Sequence, residues 1–263
     1  MRALVMSTLV VAACGDNAAP PPRAAAIDAA CVGTADAPRV LVFSRETLWM
    51  HPSTPVAQAA LIAMCGTHGF SVTASRDPAV FDATRLAEVD VVVFAVTSGN
   101  VLDPRGREAF EAWVRAGGGV VGIHSASATE YDWPFFVDLI GAQFRTHPAE
   151  LIEANVTNEA PSSPITAGLP SVWPRTDEWY VFHTRPEESR LQIVLALDES
   201  SALPPVPADL QVGYHPIAWT NEKQGGRMFY TAMGHTPESY AEPSFLDLIA
   251  NAIVWADGRG LAH

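Results

Sequence analysis

Short apolar runs alternate with segments that carry helix signals in the first half of the chain. Four runs are rich in β-branched residues and predict buried strands, at residues 39–44, 70–75, 89–96 and 120–124. Between them, Ser53 and Pro55 are typical of a helix start and Gly69 of a helix end, and a second helix is predicted from Asp103 to Gly117. This alternation predicts an α/β domain with a doubly wound, mostly parallel sheet and helices on both faces.

The second half of the chain has a different pattern of shorter strands and irregular connections. Strands are predicted at residues 151–157, 178–183 and 191–197. Two further strands, at residues 215–222 and 227–234, flank a turn at 223–226 and predict an added β-hairpin. A closing helix is predicted over residues 244–256, where apolar side chains recur on one helical face.

The N-terminal segment is not expected to belong to this fold. Residues 1–13 have one basic residue, a short apolar run and small residues before Cys14, which predicts a lipoprotein signal peptide with Cys14 as the lipidated residue. Residues 14–37 are rich in Ala and Pro and predict a flexible tether, so the domain itself is expected over 38–259. The expected location is the cell envelope, with the lipid anchor in a membrane.

Composition argues against two classes of protein, those that bind nucleic acid and those that span a membrane. The chain has 16 basic and 29 acidic side chains, a net charge of −13, which argues against nucleic-acid binding because phosphates require a basic face. No apolar run is long enough for a membrane-spanning helix.

Besides Cys14, the chain has two cysteines, which are Cys31 and Cys65. An oxidising envelope would allow a disulfide between them, although the sequence gives no distance. The oligomeric state is left open.

The loop after the fourth strand carries polar groups to the sheet edge where ligands bind in open parallel sheets. His124, Ser125 and Glu130 emerge there, and they could form an acid/base pair or a metal site. The spacing of Gly122, His124 and Ala126 imitates a nucleophile elbow with an imidazole in the nucleophile position. The alternative is that His124 only ends the strand and hydrogen-bonds the loop.

Two later histidines extend this hypothesis. His215 and His235 lie ten residues on either side of Gly225, so both belong to the open end of the predicted hairpin. With His124 and either Glu130 or the pair Asp177 and Glu178, they would suit Zn²⁺ or another divalent transition metal. Without a metal, the same groups would serve as general acid, general base and partners of sugar hydroxyls.

Five ordered blocks of sequence resemble the ThuA-like (trehalose utilisation) family. They are residues 122–134, 141–148, 176–180, 215–219 and 225–236, and the resemblance extends over about 40–258. It implies a class I glutamine amidotransferase-like fold with a flavodoxin-like sheet, and a role in sugar metabolism. True amidotransferases need a cysteine at the elbow, where this chain has His124, so glutaminase activity is not expected.

The resemblance also implies a set of site residues. The residues carried over are His124, Ser125, Glu130, His147, Asp177, Glu178, His215, Tyr230 and His235. The family often has a Gly-Phe-Arg-His segment after its first strand; this chain has Leu-Trp-Met-His at 48–51, which keeps His51 and lacks the arginine.

Two hypotheses of function follow. In the first, an envelope-anchored enzyme acts on a sugar or keto-sugar by acid/base or metal-assisted chemistry. His124, Glu130 and Ser125 are then catalytic, His215 and His235 bind metal or substrate, and the remaining residues bind substrate: His51, His147, Asp177, Glu178 and Tyr230. In the second, a non-catalytic lipoprotein binds carbohydrate in the same cleft.

Overall fold

The structure, a computed structural model, describes residues 26–186 and 191–259. Twelve strands and five α-helices lie in these ranges. The strands are β1 Ala29–Cys31, β2 Arg39–Phe43, β3 Ser71–Ser75, β4 Val91–Ala95, β5 Gly119–Ile123, β6 Phe144–Thr146, β7 Ile152–Asn158, β8 Val172–Asp177, β9 Val181–Phe182, β10 Gln192–Leu203, β11 His215–Asn221 and β12 Met228–Thr231. The helices are α1 Thr54–His68, α2 Ala83–Leu86, α3 Pro104–Arg115, α4 Pro134–Ile140 and α5 Pro243–Asp257.

Ten of these strands form one mixed sheet in the order β1-β3-β2-β4-β5-β12-β11-β10-β7-β8. The five adjacent strands from β3 to β12 are parallel, whereas β1 and the strands from β11 to β8 pair antiparallel to their neighbours. The prediction of a mostly parallel sheet is therefore correct only for the half of the sheet from β3 to β12. The strands β7, β8 and β10 precede β11 in the chain and form the antiparallel extension with it, and the hairpin turn after β11 leads into β12, which is parallel to β5.

The predicted helix boundaries of the first half agree with the structure. Gly69 ends α1 with a φ of 74°, a left-handed conformation that glycine adopts without a side-chain clash. The Asp103 carboxylate accepts a hydrogen bond from the backbone N–H of Gly106 and caps α3. All five residues of β4 are buried, so the sheet is covered on both faces at this strand. None of the helices in the described ranges combines the length and the apolar character needed to span a bilayer.

The strand predicted at residues 178–183 is mostly irregular in the structure. Only β9 is extended there, and it pairs with β6 in a separate two-stranded sheet. The Trp179 indole N–H donates to the backbone carbonyl of Ile152, and Tyr180 turns inward and is buried. The strand β8, which the sequence did not predict, lies just before this segment on the sheet edge, where Pro174 is tolerated because its missing N–H has no partner strand to bond.

Part of the predicted tether packs on the domain. Residues 29–31 form the edge strand β1 against β3, and Cys31 forms a disulfide with Cys65 of α1. Residues 29–31 are therefore held against the domain by both strand pairing and a covalent bond. The predicted signal peptide, residues 1–13, and the lipidation site Cys14 lie outside the described residues.

The disulfide is expected to stabilise the domain by restricting the unfolded chain. It closes a loop with a sequence separation of 34 residues, for which loop-closure entropy gives about 3–4 kcal/mol. The double variant Cys31→Ser with Cys65→Ser is expected to lose that much free energy of unfolding, measured in urea. Added reductant should lower the stability of the wild-type chain and leave the double variant unchanged; equal sensitivity of both proteins would contradict the prediction.

Candidate functional site

Three histidines and one glutamate converge in the structure from four separate segments. His51 lies in the loop after β2, His124 directly follows β5, Glu178 directly follows β8, and His235 lies in the loop after β12. The strands β2, β5 and β12 are parallel, so their carboxyl ends meet at the edge of the sheet where ligands bind in such folds. We call these four side chains the His/Glu cluster.

His124 is the buried centre of the His/Glu cluster. Its φ of 53° turns the chain sharply at the end of β5 into a short 3₁₀ turn, as the elbow-like spacing of the sequence predicted. Its Nδ1 lies 2.8 Å from the carbonyl oxygen of Ala232; because a carbonyl only accepts, Nδ1 carries a proton. Its Nε2 lies 2.8 Å from the hydroxyl of Tyr180. The ring is thus held in one tautomer, with Nε2 directed toward the cluster.

Glu178 and His235 are in direct contact with each other and with His124. The Glu178 Oε2 lies 3.2 Å from His235 Nδ1 and 3.5 Å from His124 Nε2, and the two ring nitrogens are 3.2 Å apart. The other oxygen, Oε1, lies 3.2 Å from His147 Nδ1. One carboxylate therefore joins three imidazoles.

A second carboxylate, that of Asp177, fixes the backbone on both sides of this contact. Asp177 is fully buried, and it accepts hydrogen bonds from the backbone N–H groups of Glu178, Gly234 and His235, at 2.9, 2.9 and 3.1 Å. The φ of 111° at Gly234 is one that L side chains rarely adopt, and this turn presents two consecutive N–H groups to one carboxylate. The Arg175 guanidinium balances the charge of Asp177 at 3.1 Å. Asp177 is thus a positioning residue for Glu178 and His235.

His51 completes the cluster from the loop after β2. Its Nδ1 lies 2.9 Å from the Glu46 carboxylate, which also accepts the backbone N–H of His51 at 2.7 Å. Its ring packs edge-on against those of His124 and His235, with centroids 5.1 and 5.6 Å apart. One ring nitrogen from each of the three histidines lies within 4.8 Å of the others. Glu46 leaves Nε2 of His51 free for a ligand.

Burial and charge set the protonation of this cluster. Burial acts to raise the pKa of Glu178, but its interactions with the His124 and His235 imidazoles outweigh burial and hold that pKa far below its usual range. The hydrogen bond with Glu178 raises the pKa of His235, while complete burial lowers the pKa of His124 despite the nearby carboxylates. The cluster therefore combines an ionised carboxylate, a readily protonated imidazole and a neutral one.

A cleft of about 450 Å³ opens above the cluster. The cleft floor is formed by three members of the His/Glu cluster, His51, Glu178 and His235. The fourth member, His124, lies buried beneath them. The walls carry aromatic, apolar and basic side chains: Trp49, Met50, Phe144, Tyr180, Arg145 and His147. Trp49 is 43% exposed. The cleft thus offers flat apolar faces beside a polar floor.

The structure brings together only some of the residues that the sequence selected. His51, His124, His147, Glu178 and His235 lie in or beside the cluster, and Asp177 supports it.

His215, predicted as a metal or substrate ligand, faces elsewhere: its Nε2 contacts the backbone carbonyl of Tyr180, and its Nδ1 contacts Glu199. Both ring nitrogens have protein partners, and the ring supports the segment that carries Tyr180.

The other predicted catalytic and binding residues also lie outside the cleft lining. Glu130 accepts the backbone N–H groups of Val101 and Leu102, both at 2.8 Å, and pairs with Arg107. Ser125 is fully buried. The Tyr230 hydroxyl donates to the carbonyl oxygen of His124 from below. Glu130 and Tyr230 therefore hold the loop and the strand end in place, and Glu178 has the position beside His124 that was predicted for Glu130.

Three supporting residues were not predicted from the sequence. Glu46 orients His51, Arg175 balances Asp177, and Tyr180 contacts His124. The alternation of buried side chains in β8 was a usable signal for Arg175, because Trp173, Arg175 and Asp177 share one buried face. Glu46 has no such signal, because its loop has no period.

Comparisons with known proteins agree with this architecture. The family model described as trehalose utilisation, ThuA, matches residues 39–256. A ThuA-like protein from Bacteroides uniformis has 24% sequence identity and a TM-score of 0.72, over 86% of this chain and 94% of that one. A ThuA-like protein from Parabacteroides merdae has 17% identity and a TM-score of 0.66, over 84% and 90%. No functionally curated protein matches the chain. At these identities the two structures show the shared fold.

Proposed function

Because the chain belongs to the trehalose utilisation (ThuA) family, we propose that it acts on a sugar or keto-sugar in the cleft above the His/Glu cluster. One observation carries the proposal: the carboxylate of Glu178 joins three imidazoles at the floor of a cleft with aromatic walls. Sugars present hydroxyl groups on their edges and apolar C–H groups on their faces. The floor supplies hydrogen-bonding groups for the edges, and the exposed ring of Trp49 supplies a flat surface for the faces.

The chemistry we propose is proton transfer at a hydroxyl oxygen or at the carbon next to a carbonyl group, or its metal-assisted equivalent. Glu178 and His235, whose side chains contact each other on the cleft floor, are the base and the acid of this chemistry. His147 lies on the other oxygen of Glu178, 35% exposed, and is suited to bind a substrate hydroxyl. His124 is buried below the floor and acts through its contacts with Glu178 and Tyr180, so its role is positioning rather than contact with substrate.

We also propose that the protein is anchored in the cell envelope through a lipid on Cys14. The signal-peptide pattern before Cys14 supports the anchor. The Cys31–Cys65 disulfide supports an oxidising compartment, because cytosolic proteins rarely keep structural disulfides. A bound carbohydrate and the membrane lipid are thus the two proposed partners.

For the fold, we propose the flavodoxin-like assignment within the class I glutamine amidotransferase-like superfamily. Counted in chain order, the five parallel strands lie in the spatial order 2-1-3-4-5, which supports it. Helices α1 and α5 both pack against β4, and Phe110 and Phe136 of α3 and α4 contact Phe94 of the same strand, which supports a doubly wound arrangement. Glutaminase activity is not proposed, because His124 occupies the elbow position.

A binding experiment tests the proposed substrate class. A panel of disaccharides, monosaccharides and keto-sugars is titrated calorimetrically into the full chain, and at least one member should bind. Trp49→Ala should weaken that binding about tenfold, or ~1.4 kcal/mol, because it removes an aromatic face at the cleft wall. The matched control is Leu48→Ala, which shortens an adjacent exposed side chain outside the cleft lining. Failure of the whole panel to bind, or equal binding by both variants, would overturn the proposal.

A further inference from the structure

The His/Glu cluster has the form of a transition-metal site. We infer that His51, His124, His235 and Glu178 together bind one divalent transition metal ion, with Zn²⁺ as the ion best matched to three imidazoles and a carboxylate. The inference deepens the proposed function, since it rests on the same cleft and selects the metal-assisted form of its chemistry.

Distances within the cluster support the inference. His124 Nε2, His235 Nδ1 and Glu178 Oε2 form a triangle with sides of 3.2, 3.2 and 3.5 Å. Nitrogen and oxygen ligands bind zinc at about 2.0–2.2 Å, so two of them in a tetrahedral site are separated by about 3.3–3.6 Å. The triangle therefore has the size of one face of a zinc coordination shell, before any ligand atom moves.

Hydrogen bonds outside the triangle orient the ligand atoms. The Nδ1 of His124 donates to the carbonyl of Ala232, and Nδ1 of His51 contacts the carboxylate of Glu46. In metal sites such partners fix the tautomer and direct the other nitrogen at the ion. Both Nε2 lone pairs are left as acceptors, and that of His124 lies 3.5 Å from the Glu178 carboxylate. Acceptors that converge in this way repel one another unless a proton or a cation lies between them.

The remaining neighbours permit an ion at this point. The hydroxyl of Tyr180 lies 2.8 Å from His124 Nε2; rotation about its C–O bond takes the proton off the Nε2 lone pair, and the oxygen stays beside the site. His51, Glu178 and His235 line the cleft floor, so the ion would face the space in which substrate binds. There it would polarise a substrate hydroxyl or carbonyl oxygen as a Lewis acid.

The test measures metal binding by the full chain without any sugar. The protein is stripped with chelator and titrated with Zn²⁺ by calorimetry, and Co²⁺ is used as a spectroscopic probe of the coordination number. We expect one Zn²⁺ per chain and the strong visible bands of four- or five-coordinate cobalt with nitrogen ligands. His235→Gln and Glu178→Gln should each weaken binding by about 100-fold or more, whereas His183→Ala, which removes an exposed histidine outside the cluster, should leave it unchanged.

A second kind of variant separates a lost ligand from a damaged fold. Glu46→Gln keeps all four ligands and should weaken Zn²⁺ binding about tenfold through His51 alone. Circular dichroism of the metal-free variants checks their folding. Absence of stoichiometric binding to the wild-type chain, or undiminished binding by both His235→Gln and Glu178→Gln, would overturn the inference. Sugar turnover by a metal-free chain would overturn the inference and leave the proposed function standing. Zn²⁺ binding without sugar binding would support the inference and overturn the proposed function.

Discussion

Glu178→Gln is expected to lower turnover of the sugar substrate by about 10²–10⁴-fold while the protein stays folded. Glutamine has the shape of glutamate, so the cleft keeps its form. It lacks the negative charge that pairs with His235 and His147, so it can act neither as a base nor as an anionic ligand of Zn²⁺. The measurement is kcat for the best sugar of the panel, with Zn²⁺ supplied at saturation, alongside calorimetric binding of the same sugar.

The control for this variant is Glu88→Gln, the same chemical change at an exposed position outside the cleft lining, which should leave kcat unchanged. Loss of turnover with retained binding would support an enzyme. A wild-type chain that binds sugar and turns over none would support the alternative, a carbohydrate-binding lipoprotein. Equal turnover by the wild-type chain and Glu178→Gln would remove Glu178 from the reaction.

Asp177→Ala is expected to cost about 3–5 kcal/mol of unfolding free energy, the largest loss of stability among the variants proposed. The change leaves the backbone N–H groups of Glu178, Gly234 and His235 without their acceptor. It also removes one of the two carboxylates that balance the buried Arg175, the other being Glu242. Urea unfolding at neutral pH measures the loss.

The exposed Asp209 gives the matched control, since Asp209→Ala should change stability by less than about 0.5 kcal/mol. Asp177→Asn should fall between the two, because its amide oxygen still accepts N–H groups but its charge is gone. A loss below about 1 kcal/mol in Asp177→Ala would contradict the role of Asp177 as the support of the cluster.

The first half of the fold could be predicted because its strands are buried on both faces. All residues of β4 and β5 are buried, so each forms a continuous apolar run that is visible without knowledge of its neighbours. The edge strand β8 has one exposed face and contains Pro174, so its alternating pattern is short and easily missed. The antiparallel extension depends on pairings between distant segments, which local patterns do not encode.

The cluster was only partly predictable, for a reason that His215 illustrates. The hairpin correctly brings the backbone near residue 215 to the end of β12, but side chains on a strand alternate between two faces. His215 lies opposite Leu197 of β10 and shares that side with Glu199, which binds its ring. His51, from a loop eight residues after β2, fills the place expected for His215. Loop geometry of this kind depends on tertiary contacts such as the one with Glu46.

The most direct test of the central claim uses NMR of protein with labelled histidine rings. It finds which of the eight histidines change their signals when sugar binds. Addition of the best-binding sugar should shift the ring signals of His51, His147 and His235, which line the cleft. The signals of His68 and His183, both exposed and outside the cleft lining, should stay in place. A sugar that binds and moves only the signals of His68 or His183 would contradict the account, because the cleft above the His/Glu cluster would then not be its site.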